Sequence, residues 1–158
     1  MVKKLEIKNL KVAEFMSEKT LAFTASLWVD GKKVGETKNQ GHGGNNHVDL
    51  FNKDGRLSPG WNSELFKELE EFASQHTYSY EGETHTHSLD SYIGDLVDNV
   101  YEKQHLKRRL RGKTAYRTSS KSYKEGEYNI MSRKYTKEVG EVLRQLHGDD
   151  VFILNETV

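Results

Sequence analysis

Between Leu21 and Val29 every second residue is apolar: Leu21, Phe23, Ala25, Leu27 and Val29. This period of two predicts a strand with one buried face. Asp30-Gly31 follows, a pair suited to a type I′ turn because both residues accept positive φ, and Lys32 to Thr37 then reads as the returning strand. Leu5, Ile7 and Val12 among lysines predict an edge strand ahead of this hairpin. Val48, Leu50 and Phe51 resume an apolar pattern, and Asn52 to Gly55 reads as a turn.

Helical spacing takes over downstream. Trp61, Leu65, Phe66, Leu69, Phe72 and Ala73 predict a first helix, with Ser58 as N-cap and Pro59 in the first turn. Gln75 to His87 is polar and aperiodic, a loop or a short irregular strand. Leu89, Tyr92, Ile93, Leu96, Val97, Val100 and Tyr101 follow a helical stripe without a miss. Ser88 can cap that helix, and it should stop before Gly112. Lys113 to Ser120 and Glu127 to Arg133 read as a hairpin turning near Glu125-Gly126. A third helix begins near Thr136 with Val139, Val142, Leu143 and Leu146 as its buried stripe, and Gly148 ends it. Val151 to Leu154 is strand-like. The pattern predicts one α+β domain over residues 1–158, a mainly antiparallel sheet packed on about three helices.

Composition narrows the function. The chain has 158 residues, 34% of them hydrophobic and 30% charged, and no cysteine. Disulfides, cysteine-based metal sites and thiol catalysis are excluded. No stretch approaches the roughly 20 apolar residues of a membrane span. The first ten residues lack the apolar run of a secretory signal. The expected location is the cytoplasm.

The net charge of zero hides a segregation. From 62 to 103 there are ten acids against Lys67 and Lys103, a net of −8. From 104 to 124 there are eight cations and no acid: Lys107, Arg108, Arg109, Arg111, Lys113, Arg117, Lys121 and Lys124. Unless the two blocks neutralise each other, the second is an anion-binding surface.

Enzyme signatures are missing. There is no P-loop, no G-x-S-x-G elbow, no H-E-x-x-H and no calcium loop. GHGGNN begins like a dinucleotide fingerprint, but Asn46 holds its last position and no helix follows. Seven histidines raise a metal-dependent phosphodiesterase built on His42, His47, His85 and His87 as an alternative, although no third ligand sits at a telling spacing.

Two features are unusual together. Gly41, His42, Gly43, Gly44, Asn45, Asn46 and His47 form a donor-rich loop whose backbone could nest an anion. Arg109, Arg111, Lys113 and Arg117 supply forks and charges matched to phosphate or carboxylate. Arg117 lies mid-strand, where a guanidinium is held more rigidly than at a helix end, and the alternative to an anion there is a cross-strand pair with an acid such as Glu127. The chain is read as a binding protein ahead of an enzyme, with no catalytic residue, metal or cofactor assigned. Its partner is an anionic small molecule such as a nucleotide, or an acidic protein. Nucleic acid is the second choice, because the pI of about 7.1 is low for that role. A homo-oligomer is compatible with the separated charge blocks.

The run VDGKKVGETKNQGHGG, the basic helix end leading into KTAYR, and the closing YTKEVGEVLRQLHGDDV resemble a family of small uncharacterised proteins of phages, prophages and plasmids. The resemblance covers most of the chain. It implies an accessory role in the host cytoplasm, with interference in a bacterial defence system as the natural form. Sequestering a nucleotide signal is one version, and inhibiting a defence enzyme by direct protein contact is another.

Overall fold

Asp30 and Gly31 take φ of 49° and 83° and close the first hairpin as the sequence predicts. In the computed structural model, which describes Met1–Val158, this turn joins β2 (Ala22–Val29) to β3 (Lys32–Gln40). β1 (Leu5–Val12) pairs with β2 on the other side, and β4 (His47–Phe51) and β5 (Leu57–Pro59) extend the sheet beyond β3. All four pairings are antiparallel, in the order β1-β2-β3-β4-β5. The alternation along β2 sends Phe23, Ala25, Leu27 and Val29 into the core, with Leu5 and Ile7 of β1 and Leu50 of β4.

The helices cover that apolar face. α1 (Glu64–Ser74) contributes Leu69, Phe72 and Ala73, and α2 (Leu89–Arg109) contributes Leu89, Ile93 and Val97. Ser88 caps α2 as expected, its Oγ accepting from Ser91 N at 3.1 Å. The start of α1 differs from expectation. Ser58 and Pro59 lie in edge strand β5, opposite Leu50 and Asp49, and the N-cap is Ser63, whose Oγ accepts from Phe66 N at 3.1 Å. An edge strand tolerates Pro59, which has no N–H to pair. Gly60 then passes so close to Leu50 that an added Cβ would stand 2.7 Å from Leu50 Cγ. That approach delays the helix and leaves Trp61 exposed rather than in the stripe.

Between the helices, β6 (Thr77–Tyr80) and β7 (Glu83–Thr86) form a regular hairpin turning on Glu81 and Gly82, with φ of 50° and 82°. Seven of its eight strand residues are exposed, so no hydrophobic alternation announces it.

The chain divides into two compact units, Met1–Tyr101 and Glu102–Val158. In the second, β8 (Thr114–Arg117) is the centre of a three-stranded antiparallel sheet between β9 (Asn129–Met131) and β10 (Phe152–Ile153). α3 (Lys137–His147) packs Val139 and Leu143 against Val151 and Ile153. Thr136 caps it, accepting from Val139 N at 3.3 Å, and Gly148 ends it at φ 95°. Its buried edge is Val139, Gly140 and Leu143, whereas Val142 and Leu146, expected inside, are exposed. Gly140 decides this. A Cβ there would come within 2.9 Å of the Tyr135 hydroxyl and 3.0 Å of the Arg144 guanidinium, so the bare backbone lets that edge turn inward. The fold is α+β with antiparallel sheets throughout. No helix is long and apolar enough to cross a membrane.

Charge follows the division. Met1–Tyr101 holds 11 Lys and Arg against 16 Asp and Glu, a net of −5. Glu102–Val158 holds 13 against 8, a net of +5.

Candidate functional site

The glycine-rich loop belongs to the first unit and is tied down from within. Buried Asn39 organises it. Its Oδ1 accepts from Gly41 N at 2.8 Å and from Thr20 Oγ1 at 2.9 Å, and its Nδ2 donates to Gly44 O and to Asn46 Oδ1, each at 3.0 Å. Gly41 O accepts from Glu18 N and Lys19 N at 3.1 and 2.9 Å. Gly43 N donates to Thr20 Oγ1 at 3.3 Å, and Asn46 N donates to Asp90 Oδ1 at 2.7 Å. His42 Nδ1 lies 3.4 Å from Glu18 Oε2, and His47 begins β4 opposite Lys38. Gly44 and Asn45 are exposed at the tip. The close approach at Gly41 and Gly43 is therefore made by this chain's own Met16 backbone and Lys19 side chain, while Gly44 stands open. The anion facing the loop is the carboxylate of Asp90. A cavity of about 310 Å³ beside the loop is lined by Thr20, Asn39, Asn46, Asp90 and Asp98, so a second anion entering it would meet two carboxylates.

His85 and His87 are held by separate partners. Buried His87 sets Nδ1 3.0 Å from Ser91 Oγ and Nε2 3.4 Å from Asp95 Oδ2. The Ser91 hydroxyl also accepts Ser88 N at 3.0 Å and reaches Ser88 O at 3.1 Å, which makes it a reciprocal cap of α2 rather than a free nucleophile. His85 leans on Tyr78, with ring centroids 5.5 Å apart. No three His, Asp or Glu side chains are grouped to hold a metal ion, and His42, His47, His85 and His87 form no ligand set.

The other candidate cations lie in the second unit. Lys107, Arg108 and Arg109 end α2, where its carbonyl terminus favours positive charge. Arg111 and Lys113 flank Gly112, which turns the chain at φ 71°. All five are exposed, and none forms an ion pair.

Arg117 is held in a different way. Its Nε donates to Glu127 O at 2.8 Å and its Nη2 to Lys124 O at 3.3 Å. Its guanidinium lies 4.2 Å from the centre of the Tyr128 ring and 5.5 Å from that of Tyr123. The Glu127 carboxylate is not its partner, because it accepts Lys124 N at 2.9 Å. Carbonyls and rings thus do what a structural acid would otherwise do, and the positive charge stays unneutralised. Two of the five guanidinium donors are occupied.

The rings nearby are fixed too. Tyr123 OH accepts Thr118 N at 3.0 Å and Asn129 Nδ2 at 2.8 Å. These bonds, led by that to the Thr118 hydroxyl, hold the phenol below the usual tyrosine range, and Lys121 adds to the effect. Phe152 stands opposite Arg117 in the β10–β8 ladder, and Lys121 Nζ lies 5.1 Å from the Tyr123 ring centre. Tyr123 and Tyr128 are legible in the sequence as aromatics interleaved with cations. Phe152 joins them only through strand pairing across 35 residues, which nothing local in the sequence signals.

Comparison of the chain with protein-family models, curated proteins and solved structures gave no match.

Proposed function

We propose that the protein is a binding protein for a phosphate-bearing anionic ligand, held on the cationic face of the Glu102–Val158 unit. The observation that carries this reading is the exposed, acid-free run from Lys107 to Lys113 leading into an Arg117 that is rigid yet unneutralised. Rigid forks recognise phosphate more tightly than mobile ones. The Gly41–His47 loop contributes less than its sequence suggests, since its donors face Asn39, Thr20 and Asp90. In the phage or plasmid setting that the resemblance implies, such a binder would act as a counter-defence accessory protein that sequesters a nucleotide-type signal or coats a phosphate backbone. Calorimetric titration with nucleoside mono- and triphosphates, cyclic nucleotides and inorganic polyphosphate tests the reading. Heat of binding that disappears in Arg109→Gln/Arg111→Gln/Lys113→Gln supports it. A folded protein silent to all of them at low salt rejects it.

A second reading, an inhibitor that docks on an acidic host protein, rests on Val142 and Leu146. They are exposed one turn apart on α3, within the positively charged unit. Partner capture that needs both residues and weakens in high salt would support it.

A further inference from the structure

We propose that the ligand of this cationic face is a single-stranded nucleic acid, with bases stacked on the outer side of the β10-β8-β9 sheet. The inference rests on the anion-binding reading above and names its ligand class. Phe152 and Arg117 are directly opposed in an antiparallel ladder, so their side chains leave the sheet on the same side. Ile130 opposes Ala115, two residues from Arg117, and therefore shares that side, where Ala115 itself is buried and the exposed surface is the border formed by Phe152, Arg117 and Ile130. Phe152 is 45% exposed and Ile130 62%, a large apolar exposure for a unit that has its own core on the opposite side at Tyr116, Met131 and Ile153. The guanidinium of Arg117, lying over Tyr128 and fixed by two carbonyls, adds a planar cationic surface between aromatic rings.

This set suits bases in particular. Unpaired bases stack on aromatic rings and guanidinium planes, and their phosphates would be met by the cations of the acid-free run 104–124. Neighbouring strands are about 5 Å apart, so a row across three strands offers about two bases a surface. The cations from Lys107 to Lys124 outnumber what one nucleotide's phosphates can use, which favours an oligomer over a mononucleotide. A duplex hides its base faces and gains nothing from Phe152. An acidic polypeptide would use the cations but not the rings.

The test compares full-length protein binding to a short fluorescent oligothymidylate and to an abasic oligomer of the same length and charge, by anisotropy at low salt. The expected result is about tenfold tighter binding of oligothymidylate. Phe152→Ala should close that gap, and Phe152→Trp should restore it, with circular dichroism unchanged in both. Should Phe152→Ala prove unfolded, Ile130→Ser provides the same readout from an exposed site on β9. Equal affinity for both oligomers, or equal displacement by polyglutamate, overturns the nucleic-acid inference and leaves the anion reading standing. Duplex DNA binding as tightly as the single strand overturns the stacking arrangement. Failure of both oligomers to bind overturns the inference, and the calorimetric titration with nucleotides and polyphosphate then decides the anion reading separately.

Discussion

The backbone N–H of Asn46 donates to the carboxylate of Asp90 at 2.7 Å, so the glycine-rich loop meets an acid of its own unit. Asn46 Nδ2 donates in return to Asp90 O at 3.1 Å, which ties the loop to the first turn of α2. Hydrogen bonds to a charged group contribute about 1.5–3 kcal/mol, and removing the acceptor leaves the donor unsatisfied. Asp90→Ala should therefore lower unfolding free energy by about 2 kcal/mol, read from urea midpoints at an unchanged slope. A midpoint equal to that of the wild type would show that the loop stands without α2.

The three loop glycines should respond unequally to substitution. Gly41 sits at φ 85° with Met16 O only 2.3 Å from where a Cβ would be, whereas nothing lies within 4 Å of the corresponding point at Gly44. Gly41→Ala should cost about 3 kcal/mol or more, from a strained backbone and a displaced strand end. Gly44→Ala should stay within about 0.5 kcal/mol of wild type, as ordinary surface changes do. Similar thermal midpoints for the two variants would contradict the assigned packing.

Local patterns are legible in the sequence where one element meets one environment. The β2–β3 hairpin follows from strict alternation plus Asp30-Gly31, and α2 follows from its unbroken stripe and Ser88. The start of α1 is not legible locally, because Ser58-Pro59 and Ser63-Glu64 both fit a helix opening and only the contact of Gly60 with Leu50 selects the second. On α3 two apolar stripes compete, and Gly140 against Tyr135 settles which one is buried. The glycine loop has the sequence of an anion nest, and its fillers, Thr20 and Asp90, are remote in sequence. Phe152 joins Arg117 and Tyr128 only once β10 pairs with β8, so that part of the patch is not legible in the sequence.

A pH window is expected for the second unit. Tyr135 OH and the Arg144 guanidinium both donate to Glu156 Oε1, each at 2.5 Å. The Tyr135 bond, followed by Arg144, holds the Glu156 carboxyl below its usual range, and the same bond to Glu156 pushes the Tyr135 phenol above its own. The lowered acid adds stability above its unfolded pKa and loses it as pH falls through its folded one. The raised phenol adds stability below its unfolded pKa and loses it as pH rises through its folded one. Protection factors of amides in the last turn of α3, taken relative to intrinsic exchange at each pH, should thus fall at both acid and alkaline extremes. In Glu156→Gln the acid limb should flatten. An acid limb unchanged in that variant would place its origin elsewhere.

Arg117 should matter twice. Its two carbonyl contacts close the β8–β9 connection, so Arg117→Ala should cost about 1–3 kcal/mol of stability. It should also weaken oligonucleotide binding by about 1.5–3 kcal/mol, the range for a charge-assisted contact. Arg117→Lys keeps the charge but loses the planar fork, so it should recover little of either. Full binding by folded Arg117→Lys would reduce the residue to a point charge.

The most direct test of the cationic face is the salt dependence of oligonucleotide affinity. For single strands the slope of log K against log salt is about −0.7 per neutralised phosphate. Arg109→Gln/Arg111→Gln/Lys113→Gln should make the wild-type slope shallower by about 2, with affinities converging at high salt. An unchanged slope in the folded triple variant would contradict the account.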